Sequence, residues 1–230
     1  MEYDLPAILY TASTWVLPAL LAITLHEAAH GLVAWYLGDD TAYNAGRVTI
    51  NPLKHIDPFG TIVLPAILIA SPLPFIFGYA KPVPIAVGRL GRPKRDMVFV
   101  ASAGPVANLL LALIAAILLN VATLVPGSVG QWLILNLANA ILLNLLLAVF
   151  NMLPLPPLDG GRVAVGLLPH ELAFRLARLE PYGLFILIGL LFLLPYLGRQ
   201  VGVDVNLLNW LVWEPVKWLL PYFMQLGGLN

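Results

Sequence analysis

The chain has 230 residues, of which 60% are hydrophobic and 10% are charged, and its formal net charge is zero. An ordinary soluble domain is about 25% charged, so this composition excludes a typical water-exposed surface. The neutral charge argues against nucleic acid as a partner. The absence of cysteine excludes disulfides, cysteine-ligated metals and cysteine nucleophiles.

Apolar runs of about 18 residues or more are typical of helices that cross a lipid bilayer. Runs of this length, one of them rich in proline, occur in chain order at 5–37, 59–77, 97–125, 131–153 and 205–226, and a shorter run occurs at 182–197. They predict an all-α polytopic membrane protein with a bundle of about five to six transmembrane helices. We expect a single membrane-embedded domain over residues 1–230, with a core at 5–165 and accessory C-terminal helices at 180–226.

The first run contains His26-Glu27-Ala28-Ala29-His30, which matches the pattern H-E-x-x-H. Histidines at positions i and i+4 share one helix face, so both imidazoles can reach one metal ion. Zinc accepts imidazole nitrogen and needs a third protein ligand if water is to take the fourth position. The adjacent glutamate can then remove a proton from that water. The alternative, a polar turn at the membrane interface, is disfavoured because a central charge in lipid costs at least ~2.5 kcal/mol.

Asp159 is the candidate for the third ligand. The position six residues after His30 is not a histidine, which excludes the extended soluble form of the motif. Asp159 lies in the segment 151–162, where three prolines and two glycines disfavour a helix directly after an apolar run. Irregular backbone at membrane depth is tolerated only against protein or a water-filled cavity. An ordinary turn aspartate before two glycines is the alternative.

The motifs His26–His30 and Asn151–Arg162 together resemble the end motifs of the site-2 protease family of intramembrane zinc metalloproteases. Between them, Gly104–Asn108 is similar to that family's glycine-proline-x-x-asparagine element, and Gly78–Pro84 is similar to a segment of its short prokaryotic members. The resemblance covers roughly residues 20–165. The family members that the sequence resembles are the short prokaryotic ones, because the sequence shows no peptide-binding regulatory domain and no C-terminal ligand-sensing domain.

This resemblance implies a zinc metalloendopeptidase that hydrolyses peptide bonds in or near transmembrane segments of membrane-protein substrates. It implies one zinc ion per chain, with the ligands His26, His30 and Asp159. Glu27 is implied as the general base, and Asn151 and Asn108 as substrate-binding residues. The partners implied are the lipid bilayer and a transmembrane or membrane-associated protein substrate, in a prokaryotic cell membrane.

Two other functional classes fit intramembrane histidine and aspartate. A membrane metal transporter is expected to string ionisable residues along a path, whereas here they concentrate at one depth. A catalytically inactive relative, which would bind membrane helices without cutting them, is disfavoured by the intact set of motif residues. Metal content measured together with substrate cleavage separates all three.

The candidate ligands constrain the topology, because they must meet at one depth. The first run and the 131–153 run both end close to candidate ligands, so these two helices must point the same way. The 97–125 helix then points oppositely, which requires an even number of crossings between it and the first helix. Since three prolines disrupt the segment 59–77, we expect a small re-entrant or β-hairpin element there rather than a single crossing.

The basic residues test this topology without reference to the motifs. Of the twelve, ten fall on one side of the membrane, namely Arg47, Lys54, Lys81, Arg89, Arg92, Lys94, Arg95, Arg162, Arg175 and Arg178. An excess of lysine and arginine marks the cytoplasmic side. We therefore expect the active site toward the cytoplasm and the N-terminus outside.

Two polar features have open interpretations. Four asparagines of the 131–153 run fall within an arc of about 140° on a helix, at positions Asn136, Asn139, Asn144 and Asn151. Amides in lipid face the bundle or a wet cavity, so this arc serves either helix–helix contact or substrate binding. Val48-Thr49-Ile50 has weak strand character and could pair with an extended substrate.

Overall fold

The computed structural model of the chain describes residues 5–63, 66, 67, 78 and 80–228. In this part of the chain the secondary structure is helical and contains no strand. The principal α-helices are α1 (Leu5–Tyr36), α2 (Thr41–Asn44), α3 (Pro93–Ala122), α4 (Gly127–Asn151), α5 (Asp159–Leu167), α6 (His170–Ala177), α7 (Gly183–Ile188), α8 (Leu194–Gln200) and α9 (Glu214–Leu226). Short 3-10 helices cover Pro52–Lys54, Val87–Arg89 and Glu180–Tyr182, and π-helical segments cover Pro58–Val63, Gly189–Leu193 and Asn209–Trp213.

Four helical stretches in the described residues are long and apolar enough to cross a membrane. They are α1, α3, α4 and the stretch His170–Gln200, which contains α6, α7 and α8. Their mean hydropathies lie between 1.7 and 2.3. Helices that are apolar all round and this long are typical of membrane spans, so the fold is that of an all-helical membrane protein.

The expected count of five to six spans is not confirmed. In the C-terminal candidate at 205–226, a π-helical segment runs directly into the 13-residue α9, but this stretch is not among the four that are long and apolar enough to cross a membrane. The expected re-entrant or hairpin element at 59–77 falls largely outside the described residues. Residues 48–50 are described, and they form bends without a strand.

The directions of the helices follow from side-chain contacts. Between α1 and α3, Asn108 Nδ2 donates to Ala22 O, while His30 contacts Val100 O, so the two helices are antiparallel. Between α1 and α4, Trp132 Nε1 donates to Ser13 Oγ near the start of both helices. Ile23 of α1 and Leu147 of α4, both in the C-terminal halves of their helices, line one cavity, so α1 and α4 are parallel. This is the arrangement that an even number of crossings before α3 requires.

The main apolar core joins α3, α4 and α9. Its buried members are Ala112, Ala115, Ala116, Leu119, Ile141, Leu145 and Val216. Three of the four α3 residues are alanines, and small side chains let helices in lipid approach closely. This core holds α3 rigidly against α4, and α3 is the helix that faces the polar centre of α1.

A buried aspartate holds the segment after α1 against the start of the 3-10 helix at residues 87–89. Asp39 is fully buried and accepts hydrogen bonds from Thr41 N at 3.1 Å and from Ala86 N at 2.6 Å. Burial raises the pKa of Asp39, but the bonds from Thr41 and Ala86 outweigh burial and lower that pKa below its usual value. Asp39 therefore ties the end of α1 to the segment that leads up to Ala86.

Candidate metal centre

Three buried side chains converge on one point between α1, α3 and the start of α5. His26 Nε2 lies 3.1 Å from His30 Nε2 and 3.1 Å from Asp159 Oδ2, and His30 Nε2 lies 3.3 Å from that same oxygen. Each of the three residues is 6–7% exposed. Among the described residues, they form the group of histidines and carboxylates able to hold a metal ion.

The local sequence explains how each ligand reaches this point. The two histidines lie one turn apart on α1, and that spacing places both rings on one face. Asp159 is the first residue of α5 and follows a non-helical stretch at 152–158. The next two residues must be glycine, because a Cβ at Gly160 would overlap Met152 O and a Cβ at Gly161 would overlap the backbone of Pro156. The start of α5 is thereby packed directly onto the preceding turn.

The remaining ring nitrogens of the histidines fix their tautomers. His30 Nδ1 lies 2.7 Å from Val100 O, and a carbonyl can only accept, so Nδ1 of His30 carries the proton. His26 Nδ1 lies 2.5 Å from Asn108 Oδ1. The amide nitrogen of Asn108 donates to Ala22 O, so its oxygen faces the ring and Nδ1 of His26 is also the donor. Both Nε2 lone pairs therefore point at the centre.

This donor set fits a zinc ion. Three acceptor atoms meet at 3.1–3.3 Å, and Asp159 Oδ2 is buried with no hydrogen-bond partner in the described part of the chain. Lone pairs of this kind repel one another unless a cation lies between them. In a tetrahedral zinc site with bonds of about 2.0–2.1 Å, neighbouring ligand atoms are about 3.3 Å apart. The spacing, the two imidazoles and the carboxylate all match that geometry.

One face of α3 packs against the two histidines of the candidate metal centre. Val100, Gly104 and Asn108 follow one another at intervals of four residues and share a face of that helix. The first and last of them bind the two histidine rings. Gly104 lies between them, where a Cβ would be 2.5 Å from His26 Nε2 and closer still to His30 Nε2. Close packing of α3 on α1 thus depends on glycine at this position.

Replacing Gly104 by alanine is expected to displace both imidazoles and to weaken zinc binding by at least about tenfold, as loss of ligand orientation does in metal sites. The readout is zinc affinity of purified protein, from competition with a chromophoric chelator. Gly189→Ala is the matched control, because a Cβ there meets nothing within 4 Å. Equal affinities in the two variants would show that the close contact at residue 104 is not needed.

Glu27 lies beside the centre, on the wall of a cavity. Its Oε2 accepts a hydrogen bond of 2.9 Å from Val83 N, which belongs to the segment that Asp39 holds in place. The cavity has a volume of about 400 Å³ and is mostly apolar. Its walls come from α1, the end of α4, the stretch 157–158 and α7, and include Ile23, His26, Glu27, Leu147, Phe150, Asn151, Leu184 and Leu187. The Glu27 carboxylate and the ring of His26 therefore border the same apolar cavity.

The two asparagines predicted to bind substrate occupy different positions. Asn151 lies on the wall of the cavity, with its Nδ2 donating to Leu147 O at 3.0 Å. Asn108 is fully buried beneath His26. The arc of α4 is likewise divided: Asn139 donates to Thr14 O on α1, whereas Asn144 contacts Asn108.

Sequence reasoning missed the groups that act through the backbone. The carbonyl of Val100 and the amide of Val83 bind His30 and Glu27, but neither function depends on the identity of the side chain. A usable signal did exist for the face of α3 that packs against the histidines. Gly104 and Asn108 are four residues apart, as the two histidines are, so each pair presents one helix face.

Comparisons with known proteins agree on one kind of protein. The chain is 42% identical over 192 residues to "Putative zinc metalloprotease YwhC" of Bacillus subtilis (strain 168), covering 81% of this chain and 82% of that protein. It is 31% identical over 192 residues to "Putative zinc metalloprotease Rip2" of Mycolicibacterium smegmatis, and 30% identical over 182 residues to Rip2 of Mycobacterium tuberculosis (strain H37Rv). Both Rip2 alignments cover 78% of this chain and 66% of the relative. No family model and no solved structure matches the chain.

Proposed function

From the premise that the chain belongs to the family of YwhC and Rip2, which are named as zinc metalloproteases, we propose that it is an intramembrane zinc metalloendopeptidase of the site-2 protease type. In this proposal His26, His30 and Asp159 hold one zinc ion, and Glu27 is the general base. The whole chain acts as one membrane-embedded peptidase domain.

The observation that carries the proposal is the convergence of three unpaired acceptor atoms inside a set of apolar helices. His26 Nε2, His30 Nε2 and Asp159 Oδ2 lie within 3.3 Å of one another, and the donor protons of both rings are used elsewhere. The general-base candidate, Glu27, faces the same cavity as His26. A site that held a metal for structure alone would have no use for this carboxylate beside an open cavity.

The chemistry divides between the ion and the chain's own residues. When bound, zinc supplies Lewis-acid chemistry, since it polarises a carbonyl oxygen and acidifies water. Glu27 accepts the proton of the attacking water and returns it to the leaving amine. The N–H of Val83 holds one carboxylate oxygen of Glu27, and the side chain lines the cavity. The apolar walls exclude bulk water, so these charges act in a medium of low dielectric constant.

The cavity indicates the substrate class. Its lining is mostly apolar and lies among membrane-spanning helices, which suits a transmembrane or membrane-associated segment of another protein. A backbone carbonyl that is hydrogen-bonded within a helix is not available for attack, so the substrate must be unwound locally. In this proposal Asn151, which lines the cavity, binds the backbone of such an unwound segment. The positive-inside distribution of basic residues supports a site that opens toward the cytoplasm.

The test is to measure zinc per mole of protein purified in detergent and the cleavage of a model transmembrane substrate in the same samples. We expect about one zinc per chain, cleavage that stops when a chelator removes the metal, and cleavage that returns when zinc is restored. Zinc binding without cleavage of any transmembrane segment would favour transport or a scaffold role. A chain without zinc would refute the proposed metal centre.

A further inference from the structure

We propose that Asn108 and Asn144 form an amide relay that positions His26, so that the metal-facing lone pair of one ligand is set from a neighbouring transmembrane helix. This inference rests on the proposed zinc site. It concerns positioning residues, since Asn108 contacts the Nδ1 of His26 and Asn144 contacts Asn108. Both are almost fully inaccessible, with exposures of 0% for Asn108 and 3% for Asn144.

The relay runs through three helices in one direction. Nδ1 of His26, on α1, donates to Asn108 Oδ1, on α3, at 2.5 Å. Asn108 Nδ2 donates to Asn144 Oδ1, on α4, at 2.7 Å. Asn144 Nδ2 donates to Ala140 O at 2.8 Å. The series ends on a backbone carbonyl, which can only accept, so the polarity of every earlier bond is determined.

This polarity prevents either amide from reversing. If Asn108 rotated by half a turn about its last bond, its nitrogen would face the N–H of His26, and its oxygen would face Ala22 O and Asn144 Oδ1. A reversed Asn144 would set oxygen against Ala140 O. Each reversal replaces buried hydrogen bonds by contacts between like groups, and an unpaired buried polar group costs about 1–3 kcal/mol. The relay therefore selects the Nδ1–H tautomer of His26.

The Nδ1 partners of His30 and His26 differ in how their hydrogen-bond polarity is fixed. His30 Nδ1 donates directly to the carbonyl of Val100, whose polarity is fixed by covalent structure. Asn108 alone has no such fixed polarity, because an amide side chain offers both a donor and an acceptor. Only its bonds to Ala22 and Asn144 decide which end meets the ring. The two ligand histidines thus reach the same tautomer by different routes.

The experiment compares Asn108→Leu and Asn144→Leu with wild type, using zinc affinity from chelator competition. Loss of an outer hydrogen-bond partner typically weakens metal binding by about 10–100-fold, and we expect this range for Asn108→Leu. Asn144→Leu is expected to weaken zinc binding in the same direction by a smaller factor. The matched control is Asn136→Leu. Asn136 also bonds back to its own helix, at 2.9 Å from Trp132 O, and lies about two turns from Asn144.

A second readout does not depend on metal or activity. In metal-free wild type labelled with ¹⁵N-histidine, His26 is expected to show the Nδ1–H tautomer alone, and in Asn144→Leu a mixture of tautomers. This measurement also applies if Asn108→Leu fails to fold. A purely structural role for the asparagines would lower thermal stability without changing the tautomer.

The possible outcomes separate the relay from the metal centre. Wild-type zinc affinity in a folded Asn108→Leu variant would overturn the relay and leave the metal centre intact. A wild-type protein that binds no zinc would overturn the metal centre. The tautomer of His26 would then decide the relay by itself: a single Nδ1–H form supports it, and a mixture in wild type refutes it.

Discussion

Replacement of Glu27 by glutamine is expected to reduce cleavage of a model transmembrane substrate by about 10²–10⁴-fold, the range that a general base contributes, while zinc content stays at the wild-type level. Glutamine keeps the length of the side chain and an oxygen that can still accept the bond from Val83 N. It loses the negative charge and with it the ability to take a proton. The measurement is the cleavage rate together with zinc per mole.

Glu171→Gln is the control for this change, because Glu171 is exposed on α6 and lies outside the cavity. A Glu27→Gln variant that cleaves at the wild-type rate would remove Glu27 from the proposed mechanism. If Glu27→Gln instead lost both cleavage and zinc, the carboxylate would have to be reassigned as a metal ligand.

Asp159→Asn is expected to weaken zinc binding and to abolish activity in parallel. Loss of a hydrogen-bond partner of a ligand weakens metal binding by about 10–100-fold, and we expect a larger effect for loss of the ligand itself. The amide has the shape of the carboxylate, but it removes the negative charge among three acceptor atoms. Chelator competition gives the affinity, and thermal unfolding in detergent shows whether the variant is folded. Since zinc binding stabilises the folded state, added zinc should raise the unfolding temperature of wild type and have little effect on the variant.

Asp204→Asn provides the matched comparison, because Asp204 is exposed in the loop between α8 and α9. Its zinc affinity should equal that of wild type. If Asp159→Asn retained the same affinity as Asp204→Asn, the third ligand would have to be sought elsewhere in the chain.

Two residues of the candidate metal centre could be predicted from the sequence because they follow the periodicity of a helix. The spacing of His26 and His30 fixes a common helix face regardless of what surrounds it. Asp159 was accessible because prolines and glycines around it force a turn directly after a long apolar run. The structure brings these three side chains together, and the opposite directions of α1 and α3 follow from the same requirement that the ligands meet.

The remaining features depend on tertiary contacts that no local pattern encodes. Gly104 lies in an apolar helix where simple helix packing explains a glycine equally well, and only the position of the two imidazoles reveals its use. Asn144 could serve either packing or substrate binding on the basis of its helix face alone. Its hydrogen bond with Asn108 is a contact between α4 and α3, which favours the packing role. The expected count of five to six spans is not confirmed, since four helices of the described residues are long and apolar enough to cross a membrane and most of the segment 59–77 lies outside the described residues.

The distance along the chain between the histidine motif and Asp159 has a consequence for biosynthesis. The first helix carries the proposed base and two ligands, but the third ligand follows only after α3 and α4. A nascent chain still emerging from the ribosome therefore lacks a complete zinc site until both of those helices have been synthesised and inserted. In the proposed enzyme, proteolytic capacity arises only with a folded bundle, so an incomplete or truncated copy cannot cut the membrane proteins inserted beside it.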